Sequence, residues 1–313
     1  MPLSSANYDV QKSAFGAGLG LDPAIVAALG EFIRNDNDGA RRLASVSAPI
    51  TSETRQSHVD STPTVESSLK GVQPGTDVLT FDLPSGARTI DLSELRSDIL
   101  GGLNAVMFTN DDSDPDVDLK LSRFSGVVVL GDGNNRVTGT KTVAIQTGDG
   151  KDTITTGDGN DTLVTGAGND SISTGSGDDL VLAGTGNDTV VTGEGRDTVH
   201  TGTGNDSVEL GGGDDLAVVE AATGDAISID GGAGDADIVD LTGVKIATVG
   251  VVISGAYTGG LKITLDTGAP GEPDAVVYVR SVEQFLYDSN GPLPGGVSLV
   301  GASQLDAAFP DAP

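Results

Sequence analysis

The amino-acid sequence predicts an all-β fold: a parallel β-roll or β-helix solenoid of nonapeptide repeats, with flanking β caps and a largely disordered N-terminal tail. The first observation is a nine-residue unit that occurs eight times without an insertion over residues 147–218. A short fixed period is typical of a solenoid. The second observation is the glycine content, 46 of 313 residues. Because glycine weakens helices and strands, this chain must need it at many defined turns.

Each repeat unit combines a glycine turn with a short strand. Positions 2 and 4 are Gly, position 6 is Asp and position 8 is apolar. Glycine permits a tight turn with positive φ, and the last three residues suit a strand whose middle side chain turns inward. Two units of nine therefore make one coil of eighteen residues. The units read TGDGKDTIT, TGDGNDTLV, TGAGNDSIS, TGSGDDLVL, AGTGNDTVV, TGEGRDTVH, TGTGNDSVE and LGGGDDLAV.

Imperfect copies flank the array. GDGNNRVTG occupies residues 131–139, and GGAGDADIV occupies residues 231–239 with its Asp shifted by one residue. The predicted inward side chains of the array form a thin core, too small to offset the conformational entropy of ordering it. Folding should therefore depend on a bound ion. The inward residues are Ile154, Leu163, Ile172, Val181, Val190, Val199, Val208 and Ala217.

The aspartates at position 6 predict calcium binding. Ca²⁺ takes six to eight oxygen ligands, more than one turn with one repeated carboxylate supplies, whereas two turns stacked about 4.8 Å apart can share an ion. One edge would stack Asp152, Asp170, Asp188 and Asp206. The other would stack Asp161, Asp179, Asp197 and Asp215. Three gaps on each edge give about six ions.

Carbonyls of the paired glycines would complete each calcium shell. These glycines are Gly148, Gly150, Gly157, Gly159, Gly166, Gly168, Gly175, Gly177, Gly184, Gly186, Gly193, Gly195, Gly202, Gly204, Gly211 and Gly213. Charge agrees with the ion count: residues 147–218 hold twelve Asp, two Glu, one Lys and one Arg, a net −12, which six Ca²⁺ would balance.

The rest of the chain divides into three predicted parts. Residues 1–70 are a tail with one short helix at 22–33 and a Ser-, Thr- and Pro-rich linker. Residues 71–146 are an N-terminal β cap with a short helix at 91–100, and residues 219–313 form a C-terminal β cap with a turn at 289–291. The predicted strands span 77–83, 105–108, 117–121, 126–130, 251–254, 261–265 and 275–279.

Composition excludes several classes of protein. The net charge of −29 repels nucleic acid and anionic membranes and favours cations as partners. There are no cysteines, so disulfides and thiolate metal sites are excluded. No apolar run approaches a membrane span, and no N-terminal signal peptide is visible. If the protein is exported, we expect a route that does not read such a signal.

The units such as TGDGNDTLV resemble RTX (repeats-in-toxin) proteins, which type I secretion systems of Gram-negative bacteria export. The resemblance covers about residues 131–303, including flanks DGGAGDADIVDLTG and VRSVEQFLYDSNG. It implies a calcium-binding roll that folds outside the cell, a capping C-terminal flank and an uncleaved C-terminal export signal read by the secretion machinery. Position 1 departs from the family consensus because it is mostly Thr rather than Gly; we expect it to make the turn shoulder bulkier and to line it with hydroxyls.

No enzyme motif accompanies the repeats. HExxH, G-x-S-x-G and Walker A sequences are all missing from the chain, so we predict a protein that is not an enzyme. The acidic stretch 111–118 is better interpreted as a solvated loop than as an EF-hand, because Val117 stands where Gly is needed. His200 is predicted to be an outward surface residue.

These features favour a secreted or cell-surface calcium-binding protein with a structural or adhesive role. An apolar strip on one outer sheet face suggests self-association or partner binding. The strip comprises Val164, Leu180, Leu182, Leu216 and Val218. Two alternatives stay open: an ice- or other surface-binding module, since TGTGND and AGTGND carry outward Thr and Asn, and an enzyme with an unrecognised site at 75–146 or 240–303.

Overall fold

A computed structural model describes residues 42–46, 76–81, 88–95, 97–101, 103, 105–108, 116–234, 236–251, 260–267, 274–288 and 297–301. They belong to two compact units, Met1–Gly166 and Ala167–Pro313. Both units are all-β and built as parallel solenoids, which confirms the predicted fold class. The helix predicted at 22–33, the linker and most of the acidic loop at 111–118 lie outside the described residues.

The described residues of the first unit form ten strands in two parallel sheets. The strands are β1 (Arg42–Val46), β2 (Thr76–Phe81), β3 (Arg88–Asp91), β4 (Ala105–Phe108), β5 (Val117–Lys120), β6 (Gly126–Val129), β7 (Arg136–Thr138), β8 (Val143–Gln146), β9 (Thr153–Thr155) and β10 (Thr162–Val164). One sheet has the order β1-β2-β4-β6-β8-β10, and the other has the order β3-β5-β7-β9. Strands therefore alternate between the sheets along the chain, and parallel pairing begins well before the nonapeptide array.

Thirteen strands lie in the part of the second unit that the structure describes. They are β11 (Ser171–Ser176), β12 (Leu180–Leu182), β13 (Thr189–Glu194), β14 (Thr198–His200), β15 (Ser207–Gly212), β16 (Leu216–Val218), β17 (Ala226–Ala233), β18 (Ile238–Asp240), β19 (Ile246–Val251), β20 (Leu261–Leu265), β21 (Ala275–Arg280), β22 (Gln284–Asp288) and β23 (Val297–Gly301). One sheet has the order β12-β14-β16-β18-β22-β23, and the other runs β11-β13-β15-β17-β21-β20-β19. Pairing is parallel through β22 and β21, and antiparallel where β23 and the β19–β20 hairpin close the two sheets.

The coil of eighteen residues is confirmed by strand register. Val190 pairs with Ile172 and with Val208, and Val199 pairs with Val181 and with Ala217, each step being eighteen residues. All eight predicted inward residues at position 8 are at most 2% exposed. The central row continues past the array, through Val239 and Phe285 in one sheet and Ile229 and Val279 in the other.

Position 1 of the repeat is part of the interior, which the sequence analysis did not predict. Thr174 and Thr192 are at most 1% exposed, as are Ala183 and Leu210 at the same position of other units. The Thr174 hydroxyl donates to the carbonyl of Thr192 (2.9 Å), and the Thr192 hydroxyl donates to the carbonyl of Leu210 (2.6 Å). Threonine is tolerated inside because each hydroxyl finds a carbonyl in the next coil. The core is therefore larger than the position-8 row alone.

The flanking elements agree in part with prediction. Strands β2, β4, β5, β6, β20 and β21 match predicted strands within a few residues, whereas β19 ends at Val251, where a strand had been predicted to begin. The helix expected at 91–100 consists of a 3-10 turn (Leu92–Glu94) and a single α-helical turn, α1 (Ser97–Leu100). Asp91 caps the 3-10 turn by accepting from the N–H of Ser93 (2.8 Å). The turn expected at 289–291 lies outside the described residues.

Candidate metal centre

The eight aspartates at position 6, here called the ladder aspartates, lie where each glycine turn enters a strand. Every one of them is buried, at no more than 3% exposure: Asp152, Asp161, Asp170, Asp179, Asp188, Asp197, Asp206 and Asp215. Burial of a carboxylate is costly unless the charge is compensated. So many buried carboxylates in one small interior point to a cation rather than to ordinary packing.

A hydrogen-bond ladder orients one oxygen of each of these side chains. The N–H of Asp170 donates to Oδ1 of Asp188 (2.8 Å), and the N–H of Asp188 donates to Oδ1 of Asp206 (3.0 Å). On the opposite edge of the second unit, the N–H of Asp179 donates to Oδ1 of Asp197 and that of Asp197 to Oδ1 of Asp215, both at 2.8 Å. The structure therefore brings together the aspartates that the eighteen-residue spacing had paired within this unit.

The second oxygen of the ladder aspartates is the unusual one. The Oδ2 atoms of Asp188, Asp197, Asp206 and Asp215 are buried and accept no hydrogen bond. Buried polar atoms are nearly always paired in native proteins, so an orphaned carboxylate oxygen in each successive coil needs a partner of another kind. Hard oxygen donors of this type suit Ca²⁺.

Electrostatics confirm that these carboxylates are poorly stabilised by protein groups alone. Burial, with a smaller contribution from repulsion by Asp170 and Asp206, raises the pKa of Asp188 to about 7 from an ordinary 3.8. Burial likewise raises the pKa values of Asp206 and Asp215 to about 6. The N–H donors of the ladder act in the opposite direction but do not outweigh desolvation.

Glycine is needed at positions 2 and 4 because successive coils approach closely. Gly186 has φ of +134°, and a Cβ placed on it would lie 1.5 Å from the carbonyl oxygen of Gly168. Gly148 is different, because its φ is not positive, yet a Cβ there would lie 2.3 Å from Oδ1 of Asp132. Close approach, with positive φ at most of these positions, therefore explains the glycines, and it brings carbonyl oxygens of one coil against the turn of the next.

Position 5 forms a second ladder on the outside of the turn, which sequence reasoning missed. Asn169 and Asn187 are exposed, and their Oδ1 atoms accept from the N–H groups of Asn187 and Asn205, each at 2.8 Å. On the other edge Asp178 accepts from the N–H of Arg196 (3.0 Å). The sequence signal for this second ladder is the recurrence of Asn or Asp immediately before the ladder aspartate. The side-chain oxygen of the position-5 residue accepts a hydrogen bond from the next coil and does not face the interior.

The N-terminal end of the ladder carries Asn135 in place of Asp. Its N–H donates to Oδ1 of Asp152 (2.8 Å), which keeps the ladder in register. Its side-chain Nδ2 donates to the carbonyls of Gly131 (3.0 Å) and Gly133 (3.1 Å), and its Oδ1 accepts from the N–H of Val117 (3.3 Å). An amide thus joins the two turn carbonyls that glycine supplies at positions 2 and 4.

Asp237 is a member of the ladder that the repeat spacing did not identify. It is 0% exposed, and its Oδ1 accepts from the N–H of Asp215 (3.0 Å) although the two residues are 22 apart. Ile238 pairs with Leu216, so Asp237 stands at position 6 despite the one-residue shift seen in the sequence. The extra residue is accommodated in the turn before it.

The donor set requires main-chain oxygens. Among the residues that the structure describes, no group of three or more His, Cys, Asp or Glu side chains is arranged to hold a metal ion. Two successive ladder carboxylates are available in each gap between coils, so carbonyl oxygens would have to complete a shell of six to eight. The buried Oδ2 atoms and the close-packed glycine carbonyls fit that requirement.

Comparison with known proteins agrees with this geometry. The family model described as RTX calcium-binding nonapeptide repeat (4 copies) matches residues 146–181 and 182–217, just under a quarter of the chain. A search of curated proteins gave no match, and a search of solved structures gave none. The matched segment, together with the parallel solenoid that contains it, is an RTX β-roll. The chain is therefore a calcium-binding repeat protein.

Proposed function

We propose that the RTX roll holds about six Ca²⁺ ions between successive turns, and that the chain is a secreted structural or surface protein whose roll folds when calcium binds outside the cell. The observation that carries this proposal is the buried, unpartnered Oδ2 atom of Asp188, Asp197, Asp206 and Asp215. The ladder aspartates supply the carboxylates, and the carbonyls of the position-2 and position-4 glycines complete each shell.

The buried carboxylate charges link calcium binding to folding of the roll. Without an ion, the roll must bury several carboxylates whose pKa values are raised by burial, Asp188 among them. Each charged group then repels its neighbours through an interior of low dielectric constant. A cation between two turns converts this repulsion into attraction, so that binding free energy becomes folding free energy. Four of the proposed gaps, 170/188, 188/206, 179/197 and 197/215, lie within the second unit.

Extracellular folding follows from the affinity expected for such sites. Partly carbonyl-built sites of extracellular modules bind calcium at about 10⁻⁴–10⁻³ M, so the roll would stay unfolded where calcium is scarce and would fold where it is plentiful. Export by a type I system, with an uncleaved C-terminal signal, is the route that the RTX resemblance supports. Within the described residues no helix is long and apolar enough to cross a membrane.

A structural rather than catalytic role is supported by what the interior contains. The polar groups that the described roll buries are the ladder aspartates, Asp237, hydrogen-bonded threonines and Asn135. The proposed ions would occupy the ladder carboxylates. These carboxylates stand at the same position of each repeat unit, which suits a repeating scaffold. A scaffold of this kind on a cell surface or in an extracellular matrix would present its outer faces for adhesion.

Self-association through the outer sheet face is part of this proposal. In the second unit Leu180 and Leu182 on β12, and Leu216 and Val218 on β16, are half-buried at the surface. Strand β14 lies between them and places the more polar Thr198 and His200 in the same rows. Substitution of Leu180 and Leu182 by Glu should reduce particle size in light scattering with calcium present; unchanged size would contradict an intermolecular role.

The proposed function is tested by circular dichroism during a calcium titration of chelator-treated protein, with magnesium as the control cation. We expect a cooperative change from coil to β structure near millimolar Ca²⁺ and none with Mg²⁺. Native mass spectrometry of the calcium-loaded chain should then count about six ions in the array. A full β spectrum in chelator would contradict ion-driven folding.

A further inference from the structure

The acidic ladder continues past the last nonapeptide unit into the C-terminal strands. Asp237 accepts from the N–H of Asp215, and the N–H of Asp237 donates to Oε2 of Glu283 (3.1 Å). Ile238 pairs with Gln284, so Glu283 stands one coil beyond Asp237 in the position that an aspartate holds in the array. The two steps span 22 and 46 residues, and no nine-residue period predicts either of them.

The turn that precedes Asp237 packs so closely against neighbouring coils that no Cβ fits at two of its glycines. A Cβ on Gly234 would lie 2.0 Å from the carbonyl oxygen of Gly213 and 2.6 Å from Oδ1 of Asp237. A Cβ on Gly231 would lie 2.0 Å from the carbonyl oxygen of Ser281 and 2.8 Å from Oδ2 of Asp237. On each side of Asp237, therefore, glycine lets a main-chain carbonyl from a neighbouring coil come close to a carboxylate oxygen of Asp237.

The state of Asp237 points independently to a ligand. Its side chain is 0% exposed, and its Oδ2 is buried without a hydrogen-bond partner, as in Asp188, Asp197, Asp206 and Asp215. Glu283 is exposed, so a site that it shares is partly open to solvent and has room for water ligands. In the array, four residues lie between the position-1 residue and the aspartate, as between Thr192 and Asp197. Here a single residue lies between Ser281 and Glu283, and the longer side chain of glutamate suits this shorter connection.

We propose that Asp237 is a ligand shared by two Ca²⁺ ions outside the nonapeptide array, one completed by Asp215 and the carbonyl of Gly213, the other by Glu283 and the carbonyl of Ser281. Carboxylate and carbonyl oxygens are the donors that calcium takes, and the missing ligands would be water at the exposed end. These ions fasten β21 and β22, which come from the C-terminal flank, to the roll. The proposal rests on calcium binding by the array.

Ion counting by native mass spectrometry of the full calcium-loaded chain tests this proposal. We expect Glu283→Gln to bind one ion fewer than the wild type and Asp237→Asn to bind two fewer. The asparagine should keep the fold, since Asn135 in the first unit already stands at position 6 of its turn and donates its N–H to Oδ1 of Asp152. Glu209→Gln and Asp158→Asn remove equal charge from exposed positions and should keep the wild-type count.

Hydrogen exchange supplies a second measurement. With calcium in excess, Glu283→Gln should increase amide exchange in β22 (Gln284–Asp288), with little change in β13. Wild-type ion counts in both Glu283→Gln and Asp237→Asn would overturn the proposal, and a wild-type count in Glu283→Gln alone would overturn the site shared with Glu283. A wild-type chain that binds no calcium at all would instead overturn the proposed function of the array.

Discussion

The side-chain Nδ2 of Asn135 lies 3.1 Å from the carbonyl oxygen of Gly133 and donates a hydrogen bond to it. The same amide donates to Gly131, so one neutral side chain satisfies two turn carbonyls at the N-terminal end of the ladder. In the array the corresponding residue is an aspartate, which brings no donor and needs a cation between itself and such carbonyls. The first turn of the ladder is thus closed by the protein itself.

Replacement of Asn135 by Asp should convert this closed turn into a calcium-dependent one. The variant loses both hydrogen bonds to the glycine carbonyls and gains a buried charge, so we expect lower β content in chelator and one more ion in native mass spectrometry. Asn187→Asp is the matched control, because it adds the same charge at an exposed position whose oxygen can still accept from Asn205. An unchanged ion count together with unchanged β content would contradict the role assigned to Asn135.

Acidity should act oppositely on the ion-free and calcium-bound rolls. Burial raises the pKa of Asp188 to about 7 and those of Asp206 and Asp215 to about 6 in the ion-free fold, against 3.8 ordinarily. Such a group stabilises the ion-free fold fully below the unfolded pKa, and the contribution is lost as pH rises through the folded pKa.

We therefore expect β content in chelator to increase as pH falls from about 8 to about 5, while the calcium midpoint rises because protons compete for the same oxygens. Circular dichroism titrations at the two pH values measure both effects. Equal calcium midpoints at the two pH values would show that these carboxylates are not the ligands.

Loss of a position-1 hydroxyl should destabilise the calcium-loaded roll. Thr192→Val keeps the shape of the side chain but leaves the buried carbonyl of Leu210 without its 2.6 Å donor, a loss of about 1–2 kcal/mol in the free energy of unfolding. Urea unfolding in saturating calcium measures it. Thr192→Ser retains the hydroxyl and should lose less of the free energy of unfolding. An equal loss in both variants would assign the effect to packing rather than to the hydrogen bond.

Glycine at position 4 should be irreplaceable even by alanine. In Gly186→Ala the new methyl meets the carbonyl of Gly168 at a backbone φ of +134°, so the coil must deform, with a loss of roughly 3 kcal/mol. Thermal unfolding with calcium present measures the loss. Thr185→Ala, an exposed change in the same turn, serves as the control, and similar melting temperatures for the two variants would contradict close packing of the coils.

The sequence predicted the array well because its signals are local and repeated. A period of nine fixed the coil of eighteen, the inward row at position 8 and the pairing of aspartates such as Asp188 with Asp206, since every unit must repeat the same turn and strand. The burial of position 1 was not predicted, because whether a threonine points into a coil depends on the carbonyl that the next coil offers it. The ligand assignments, the ion count and the four-part division of the chain stay predictions.

What the sequence alone determined is therefore the repeating interior, which follows from residue type and spacing, whereas the need of that interior for a cation stays a prediction. Only the tertiary structure decided how the ladder ends. In the first unit, Asn135 closes the turn before Asp152 with an amide. In the second unit, Asp237 and Glu283 extend the edge that holds Asp197 and Asp215, after 22 and 46 residues. These partners meet because parallel strands from separate parts of the chain come into register, a relationship between coils that no local period encodes.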